Sequence, residues 1–413
     1  MAEAIAAIRY GTGTPPPRVE PSADSVPFLR ATDIKDGRVL TEKLLHISRR
    51  QPPAMDKCRL NGGELIIVRS GANTGDCAVV PMALSGSFAA YDLIVNINTT
   101  IALPEFVSAY MYTSFGSAQI DGVKNRAAQP HINSEEVKAL EIPLPNLDMQ
   151  RRLVAELDAA RARREYALAE AERLLTSIDD LFKAELGLTD MEAPKQAGYA
   201  IRLSIAKSTN TLSADFFHPE RMQAVRLIQS LTNSPLSQLV NFQRDIVKTP
   251  GDSRYIGLAS VASGTGQLTD AIETAAGQCF AFQPGDVLYG RLRPYLNKVW
   301  LATFSGVCST EFHVMRPFNP RKLRPEYLAV VMRTGLIVAQ TKHMMTGNTH
   351  PRIANEDVTN LLVPLASETT QRKIVEATLA RQAESARLQA HAETVWREAR
   401  EYFEQQLLQG GKT

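Results

Sequence analysis

Two long segments of this chain place apolar residues alternately four and three positions apart, which is the pattern of a helix packed against another helix. The first stripe is interrupted only by Arg164, and its apolar members are Leu153, Leu157, Ala160, Ala167, Ala171, Leu174, Ile178 and Leu181. The second stripe is less regular, and we assign to it Ile374, Leu379, Ala386, Trp396 and Phe403. The pattern therefore predicts long helices over 148–187 and 367–410.

A helix of about 39 residues is roughly 58 Å long and cannot bury its apolar stripe alone. We therefore expect the two helices to pack against each other as an antiparallel coiled coil. The alternative is that each helix only covers the domain that precedes it.

The rest of the chain alternates short Val, Ile, Leu and Tyr-rich runs with Gly, Pro and Asn turns, which is typical of short strands. In each half these runs are followed by a helix that begins at Pro-Glu, in PEFVSAYMYTSF and PEYLAVVMRTGL. The pattern predicts mixed α/β (α+β) domains over 1–147 and 207–366. A stretch rich in Gly, Pro and polar residues, 188–206, is the expected linker.

The two halves repeat each other. A shift of 221 residues aligns 104–154 with 325–375 without a gap, so that QPHINSEEVKALEIPLPNLDMQRRLV corresponds to HPRIANEDVTNLLVPLASETTQRKIV. A solenoid needs a period of about 20–50 residues. The duplication therefore indicates two similar domains, each followed by its own long helix.

Composition describes a soluble globular chain of 413 residues with 44% apolar and 22% charged residues. No apolar run approaches the roughly 20 residues that span a bilayer, and the first residues do not resemble a signal peptide, so we expect a cytoplasmic protein without a membrane partner. The net charge of +2 combines an acidic first segment, with 14 Lys/Arg against 16 Asp/Glu in 1–148, and a basic second segment, with 16 against 11 in 207–366. A nucleic-acid function must therefore rest on local patches.

Signatures of catalysis are missing from the sequence. It contains no phosphate-binding GxxxxGK[ST] loop, no HExxH, no GxSxG and no Asn/Asp-Pro-Pro-Tyr/Phe motif. Four scattered cysteines and dispersed histidines indicate neither a zinc site nor a disulfide framework. We therefore predict a protein with no catalytic residue, no cofactor and no metal, and not an enzyme on its own.

Two loops in each half concentrate side chains that can bind bases or phosphates, and the two halves repeat this arrangement. In the first half we predict DNA contacts from RSGANTGD and KNRAAQPH, namely Arg69, Ser70, Asn73, Thr74, Lys124, Asn125, Arg126, Gln129 and His131. In the second half we predict them from GRLRPYLNK and KHMMTGNTHPR, namely Arg291, Arg293, Tyr295, Asn297, Lys298, Lys342, His343, Asn348, Thr349, His350 and Arg352. The alternative for any single one is a solvated loop residue.

The order and duplication of these motifs resemble the specificity subunit of type I restriction-modification systems. The resemblance rests on FLRATDIKDGRV, GGELIIVRSGANTGDCAVV and HINSEEVKALEIPLPNLDMQRRLVAELD, and later on LSADFFHPE, PGDVLYGRLRP and PRIANEDVTNLLVPL with QRKIV. It implies two target-recognition domains that each read one half of a bipartite, asymmetric DNA sequence, held apart by the two helices. It also implies double-stranded DNA, two adenine methyltransferase subunits and a restriction or translocase subunit as partners. The segment ASETTQ departs from the family's closing motif.

Two other interpretations remain open. The chain could be the specificity adapter of a methylation-based phage-defence system that lacks a classical translocase. It could also be a coiled-coil scaffold that displays two protein-binding domains and does not bind DNA.

Overall fold

The structure is a computed structural model that describes residues 1–124, 130–188, 198–209, 211–231, 234–248, 251–275, 277–347 and 349–410. It divides into two compact units. The first contains Met1–Ala167 and Ala390–Thr413, and the second contains Leu168–Gln389. The division falls inside both long helices, so each unit includes a portion of each. The domain boundaries drawn from the sequence, which treat the helices separately, stay a prediction.

The globular part of the first unit, residues 1–146, is called the first head below. Its strands are β1 (Ile5–Tyr10), β2 (Arg18–Val19), β3 (Ser25–Leu29), β4 (Ile34–Lys35), β5 (Arg38–Val39), β6 (Leu45–Ser48), β7 (Leu65–Ile67), β8 (Cys77–Val79), β9 (Phe88–Ala89) and β10 (Leu93–Ile97). Its helices are α1 (Pro104–Met111), α2 (Ser114–Lys124) and α3 (Ser134–Ala139). One sheet has the order β1-β10-β7-β8 and another the order β2-β6-β3-β9.

Strand β7 explains why this head needs continuous apolar runs. Leu65 and Ile67 face a core cluster that includes Val107 of α1, whereas Ile66 faces a second cluster on the opposite side of the sheet. All three side chains are fully buried. Because successive residues of a strand point to opposite faces, a sheet covered on both sides requires an unbroken apolar run.

Before the second head, α4 spans Leu147–Glu185. The second head is the globular part of the second unit, residues 198–366. Its helices are α5 (Leu203–Ser208), α6 (Pro219–Gln229), α7 (Pro325–Met332), α8 (Gly335–Thr341) and α9 (Asn355–Thr359). Its strands are β11 (Val240–Gln243), β12 (Ile246–Val247), β13 (Tyr255–Ile256), β14 (Cys279–Phe282), β15 (Val287–Gly290), β16 (Val299–Leu301), β17 (Gly306–Ser309), β18 (Phe312–Pro317), β19 (Met345–Thr346) and β20 (Arg352–Ile353).

The sheet order β11-β18-β15-β16 in the second head reproduces β1-β10-β7-β8 of the first. The chain ends with the second long helix, α10 (Glu368–Gly410). The mixed helix and strand fold and the two long helices predicted from the sequence are therefore confirmed. None of the helices in the described residues is long and apolar enough to cross a membrane.

One buried glutamine ties the first turns of each long helix to its head. Gln150 on α4 and Gln371 on α10 are both fully buried. The Gln150 amide donates to the carbonyls of Ile101 (3.0 Å) and Pro145 (2.7 Å) and accepts the N–H of Leu103 (2.8 Å). The Gln371 amide donates to the carbonyls of Lys322 (2.8 Å) and Ala366 (2.9 Å) and accepts the N–H of Arg324 (3.0 Å). Each residue of the second set lies 221 positions after its counterpart, so the duplication extends to individual hydrogen bonds.

Inside each unit, the portions of α4 and α10 run antiparallel. In the first unit Arg164 donates to Glu393 at 3.0 Å, and further along α10 Phe403 and Leu407 share a buried cluster with the earlier residues Leu153 and Leu157. In the second unit the ion pair Lys373–Glu185 (2.8 Å) and the hydrogen bond from Arg381 to Ser177 (3.2 Å) show the same opposed direction. The antiparallel pairing expected from the stripes is thus present in both units.

The buried stripe of α10 differs from the prediction at two positions. Ile374 and Phe403 are buried and Trp396 is half-buried, but Ala386 is exposed and Leu379 is 56% exposed. The buried positions next to these two are polar, namely Thr378, Gln382 and Ser385. A stripe drawn from apolar residues alone misses them, which explains why this helix gave the weaker pattern.

The stripe of α4 is closer to its prediction. Leu153, Leu157, Ala160, Ala167 and Ala171 are buried, whereas Leu174, Ile178 and Leu181 are only half-buried. The fully buried residue near the end of α4 is Phe182, whose ring lies 6.1 Å from that of Tyr327. A helix turns once every 3.6 residues, so the buried face moves away from a strict seven-residue pattern over this length.

Candidate nucleic-acid interface

The turn between β7 and β8 carries the first predicted cluster, and its backbone is fixed by two glycines. Gly71 and Gly75 both have φ of +94°, a conformation that other residues rarely adopt. A Cβ on Gly75 would also lie 2.4 Å from Cγ2 of Ile120 on α2. The Thr74 hydroxyl donates to the carbonyl of Gly71 at 2.7 Å and lies 3.2 Å from that of Pro130. Thr74 is buried, so its side chain stabilises the turn.

Backbone hydrogen bonds join this turn to the loop before α3. The N–H of Gly71 donates to the carbonyl of Pro130 (3.3 Å), and that of Ile132 donates to the carbonyl of Arg69 (2.8 Å). Ser70 and His131 form an isolated antiparallel bridge between the two segments, and both residues are exposed. Two clusters that are about 60 residues apart in sequence therefore form one surface in the first head.

Arg69 lies at the start of this turn, beside two aromatic rings. Its guanidinium lies 4.3 Å from the ring centre of Tyr91 and 5.3 Å from that of Tyr10. Its backbone N–H donates to Oδ1 of Asp92 at 3.1 Å, while Oδ2 of Asp92 is buried without a hydrogen-bond partner among the described residues. Burial raises the pKa of Asp92, and the bond from Arg69 partly opposes this rise. The sequence pattern gave no sign of these three partners, because they meet Arg69 only through the fold.

The other predicted residues of the first head are less constrained or paired locally. Asn73 is half-buried on the turn, and Lys124 forms an ion pair with Asp121 at 2.5 Å. The predicted contacts Asn125, Arg126 and Gln129 lie outside the described residues.

The second head repeats the same arrangement between β15 and β16. The N–H of Arg293 donates to the carbonyl of Pro351 (2.8 Å), and that of Ile353 donates to the carbonyl of Arg291 (3.1 Å). Leu292 and Arg352 form the isolated bridge that corresponds to Ser70 and His131. The basic turn and the loop before α9 therefore adjoin in this head as well.

Two residues predicted to contact DNA also make hydrogen bonds that hold the turn together. Lys298 donates to the carbonyls of Leu258 (2.7 Å) and Val261 (2.8 Å), and Asn297 donates to the carbonyl of Arg333 (2.6 Å). Asn297 also has φ of +52°. The most exposed side chain that the turn offers is Tyr295, beside the half-buried Arg293.

Acidic partners take up several other predicted cations. Glu311 receives the guanidinium of Arg352 at 2.9 Å and lies 3.9 Å from Nε of Arg291. Thr349 and His350 are exposed beside this pair. The predicted contact Asn348 lies outside the described residues.

Lys342 and His343 both meet Glu220, at 2.6 and 3.1 Å. Burial raises the pKa of Glu220, but the hydrogen bonds from Lys342 and His343 lower it by a larger amount. The pKa of Glu220 therefore lies below its usual value. The His343 ring stacks on that of His218 at 3.6 Å, and His218, Glu220 and His343 bring three potential metal ligands within 4.8 Å. The rings are only 16° from parallel, so their in-plane lone pairs do not converge on one point.

The first head, together with the start of α4, is similar to a known domain family. Residues 19–165 match the family model described as the type I restriction modification DNA specificity domain. The resemblance to type I specificity subunits found in the sequence is thereby confirmed.

Individual proteins and solved structures are also similar to this chain. The chain is 31% identical over 108 residues to the type I restriction enzyme EcoDI specificity subunit of Escherichia coli, a match that spans 26% of this chain and 23% of that protein. A solved chain from work on complex assembly and conformational transition of the type I R-M system matches with a TM-score of 0.53 and 18% identity, over 99% of this chain and 95% of that one. The HsdS subunit from Thermoanaerobacter tengcongensis matches at a TM-score of 0.44 and 17% identity, over 99% and 94% of the two chains.

Proposed function

We propose that this chain is the specificity subunit of a type I restriction-modification complex. It recognises a bipartite, asymmetric sequence in double-stranded DNA and positions two adenine methyltransferase subunits, which a restriction or translocase subunit can join. Modification of the DNA is carried out by those partners.

The observation that carries the proposal is the repeated interface of the two heads. In each, the same two backbone hydrogen bonds and one bridge join a polar turn to the loop before a short helix. Arg, Asn, Thr and Tyr side chains on these segments can bind phosphates and base edges. Two such surfaces in one chain support a target of two half-sites, one for each head.

The long helices support a fixed gap between those half-sites. Residues of both units belong to the single helix α4 and to the single helix α10, without interruption in either. We propose that the length of these helices determines the number of unread base pairs.

Mapping of methylated adenine in a host that expresses the chain with its methyltransferase tests the proposal. Asn73→Ala changes the turn of the first head, and Arg293→Asn removes a guanidinium from the second while keeping a residue that tolerates its φ of +48°. We expect each variant to lose or relax one half of the motif and to keep the other. The exposed Arg321→Gln serves as a charge-matched control that leaves the motif unchanged.

Two results would contradict the proposal. A single undivided motif, or the same change in both halves from either variant, would refute the assignment of one half-site to each head. Methylation that does not depend on the chain would favour the scaffold interpretation.

A further inference from the structure

The second head contains a small cavity of about 160 Å³ beside the recognition turn. Its walls include Phe242 and Phe280, and its polar lining includes Arg244, Arg291 and His313. Two of the lining residues are cations, and none of those in the described part of the chain is an acid. The cavity therefore offers a positive environment in a partly apolar enclosure, where charges interact more strongly than in water.

Two polar atoms of the cavity residues lack a hydrogen-bond partner among the described residues. One is Nε2 of His313, a residue that is only 7% exposed, and the other is Nε of Arg291. Leaving a buried polar group unpaired costs about 1–3 kcal/mol. Glu311, 3.9 Å from Nε of Arg291, already receives Arg352 through both of its oxygens. A ligand with several acceptor oxygens would supply the missing partners.

The corresponding sheet position in the first head is apolar. There β7 and β10 pair Ile67 with Leu93, whereas β15 and β18 pair Tyr289 with His313. The first head needs no ligand at this position, because a buried leucine carries no polar group.

The strands on the other side of β10 and β18, which are β1 in the first head and β11 in the second, differ in the same way. Tyr10 of β1 pairs with Leu93 in the first head. In the second head Arg244 follows the last pair of β11 and β18, which joins Gln243 to Val314. The second head thus has a histidine and an arginine at the positions where the first head has a leucine and a tyrosine, and that tyrosine stacks with Arg69.

We propose that Arg244, Arg291 and His313 form a binding site for a phosphate group, supplied by the backbone of the target DNA. Burial, followed by the charges of Arg291 and Arg244, lowers the pKa of His313 to about 4. The imidazole is therefore neutral at pH 7 and can donate one N–H from Nε2, while the two guanidinium groups supply the charge. The DNA source rests on the proposed function; the pocket itself can be tested without it.

The first experiment uses inorganic phosphate and the full-length chain with ¹³C,¹⁵N-labelled histidine. The His313 signal is identified by its loss in His313→Leu, which introduces the residue found at this position in the first head. We expect phosphate to shift that signal saturably, and a short duplex containing the mapped target to compete with it. An unchanged signal would refute the site, and phosphate binding without competition from the duplex would refute its assignment to DNA.

The second experiment measures DNA affinity between 50 and 200 mM salt for the wild type, Arg244→Gln and the control Arg254→Gln. Arg254 is an exposed cation of the same head, stacked on Phe304. Loss of one phosphate contact reduces the slope of log affinity against log salt concentration by about 0.9. The ratio of the wild-type DNA affinity to that of Arg244→Gln should therefore fall roughly 3.5-fold between the lowest and the highest salt concentration.

Sequence preference separates phosphate binding from base reading. We expect Arg244→Gln to weaken binding equally for target and non-target DNA. A relaxed base preference, or a salt slope equal to that of the control, would overturn the proposal. Wild-type chain that shows no salt-dependent DNA binding would instead refute the proposed function, whatever the phosphate titration shows.

Discussion

The two buried glutamines offer the sharpest test of how the long helices are joined to the heads. We consider Gln150→Met, which keeps an unbranched side chain of similar size and removes all three hydrogen bonds. The N–H of Leu103 and the carbonyls of Ile101 and Pro145 lose their partner. At roughly 1 kcal/mol for each net hydrogen bond, and more where the remaining group stays buried, the first unit should lose about 3 kcal/mol or more.

The chain provides a reporter for each unit. Its two tryptophans are Trp396 in the first unit and Trp300 in the second. In a Trp300→Phe background, urea unfolding followed by the fluorescence of Trp396 reports the first unit. With a slope near 3 kcal/mol per molar urea, the expected loss lowers the midpoint by about 1 M. Gln371→Met, read through Trp300 in a Trp396→Phe background, should produce a similar loss in the second unit.

The control is Gln389→Met, the same substitution at an exposed position of α10. We expect it to change either midpoint by less than about 0.2 M, since exposed substitutions usually change stability by under 0.5 kcal/mol. A midpoint for Gln150→Met within the range of this control would refute the reasoning. So would equal shifts of both reporters, because the hydrogen bonds of Gln150 lie within the first unit.

Two further predictions concern the first head. Gly75→Ala should destabilise the first unit by about 1–3 kcal/mol more than Gly63→Ala in the same urea assay. Both glycines have positive φ, but only at Gly75 would a Cβ meet Ile120. Equal losses of stability in the two variants would contradict this. Burial raises the pKa of Glu64, but the paired bonds from Arg9 hold it below its usual 4.5. The ion pair of Arg9 and Glu64 should stabilise the fold fully above pH 4.5 and less as the pH falls below that value. The difference in urea midpoint between wild type and Arg9→Gln should therefore become smaller from pH 6 to pH 3. A difference that stays constant would contradict this.

The sequence predicted the features that depend on local pattern or on the repeat. The long helices, the mixed heads and the polar turns at Arg69 and Arg291 all lie where short-range signals placed them. That the two polar loops adjoin within each head was not among these predictions, and the structure shows it through the matching bridges of Ser70 and Leu292.

The features it could not predict depend on partners far away in the chain. Lys342 and His343 carry the signal of a basic loop, but both bind Glu220, more than 120 residues earlier in the chain. The buried Thr378 and Ser385 give no apolar signal on α10. His313 stands out only because the sheet buries it beside two arginines. Charge pairing and burial are properties of the folded chain, so no linear pattern carries them.

The central claim is that two heads read separate half-sites whose gap is determined by the long helices. We would insert four helix-forming residues after Ala167 in α4 and four after Gln389 in α10, at the division between the units, and then map methylated adenines. Four residues add about 6 Å of helix, which corresponds to roughly two base pairs. The account predicts both half-sequences unchanged and a longer gap between them. An unchanged gap, or altered half-sequences, would contradict it.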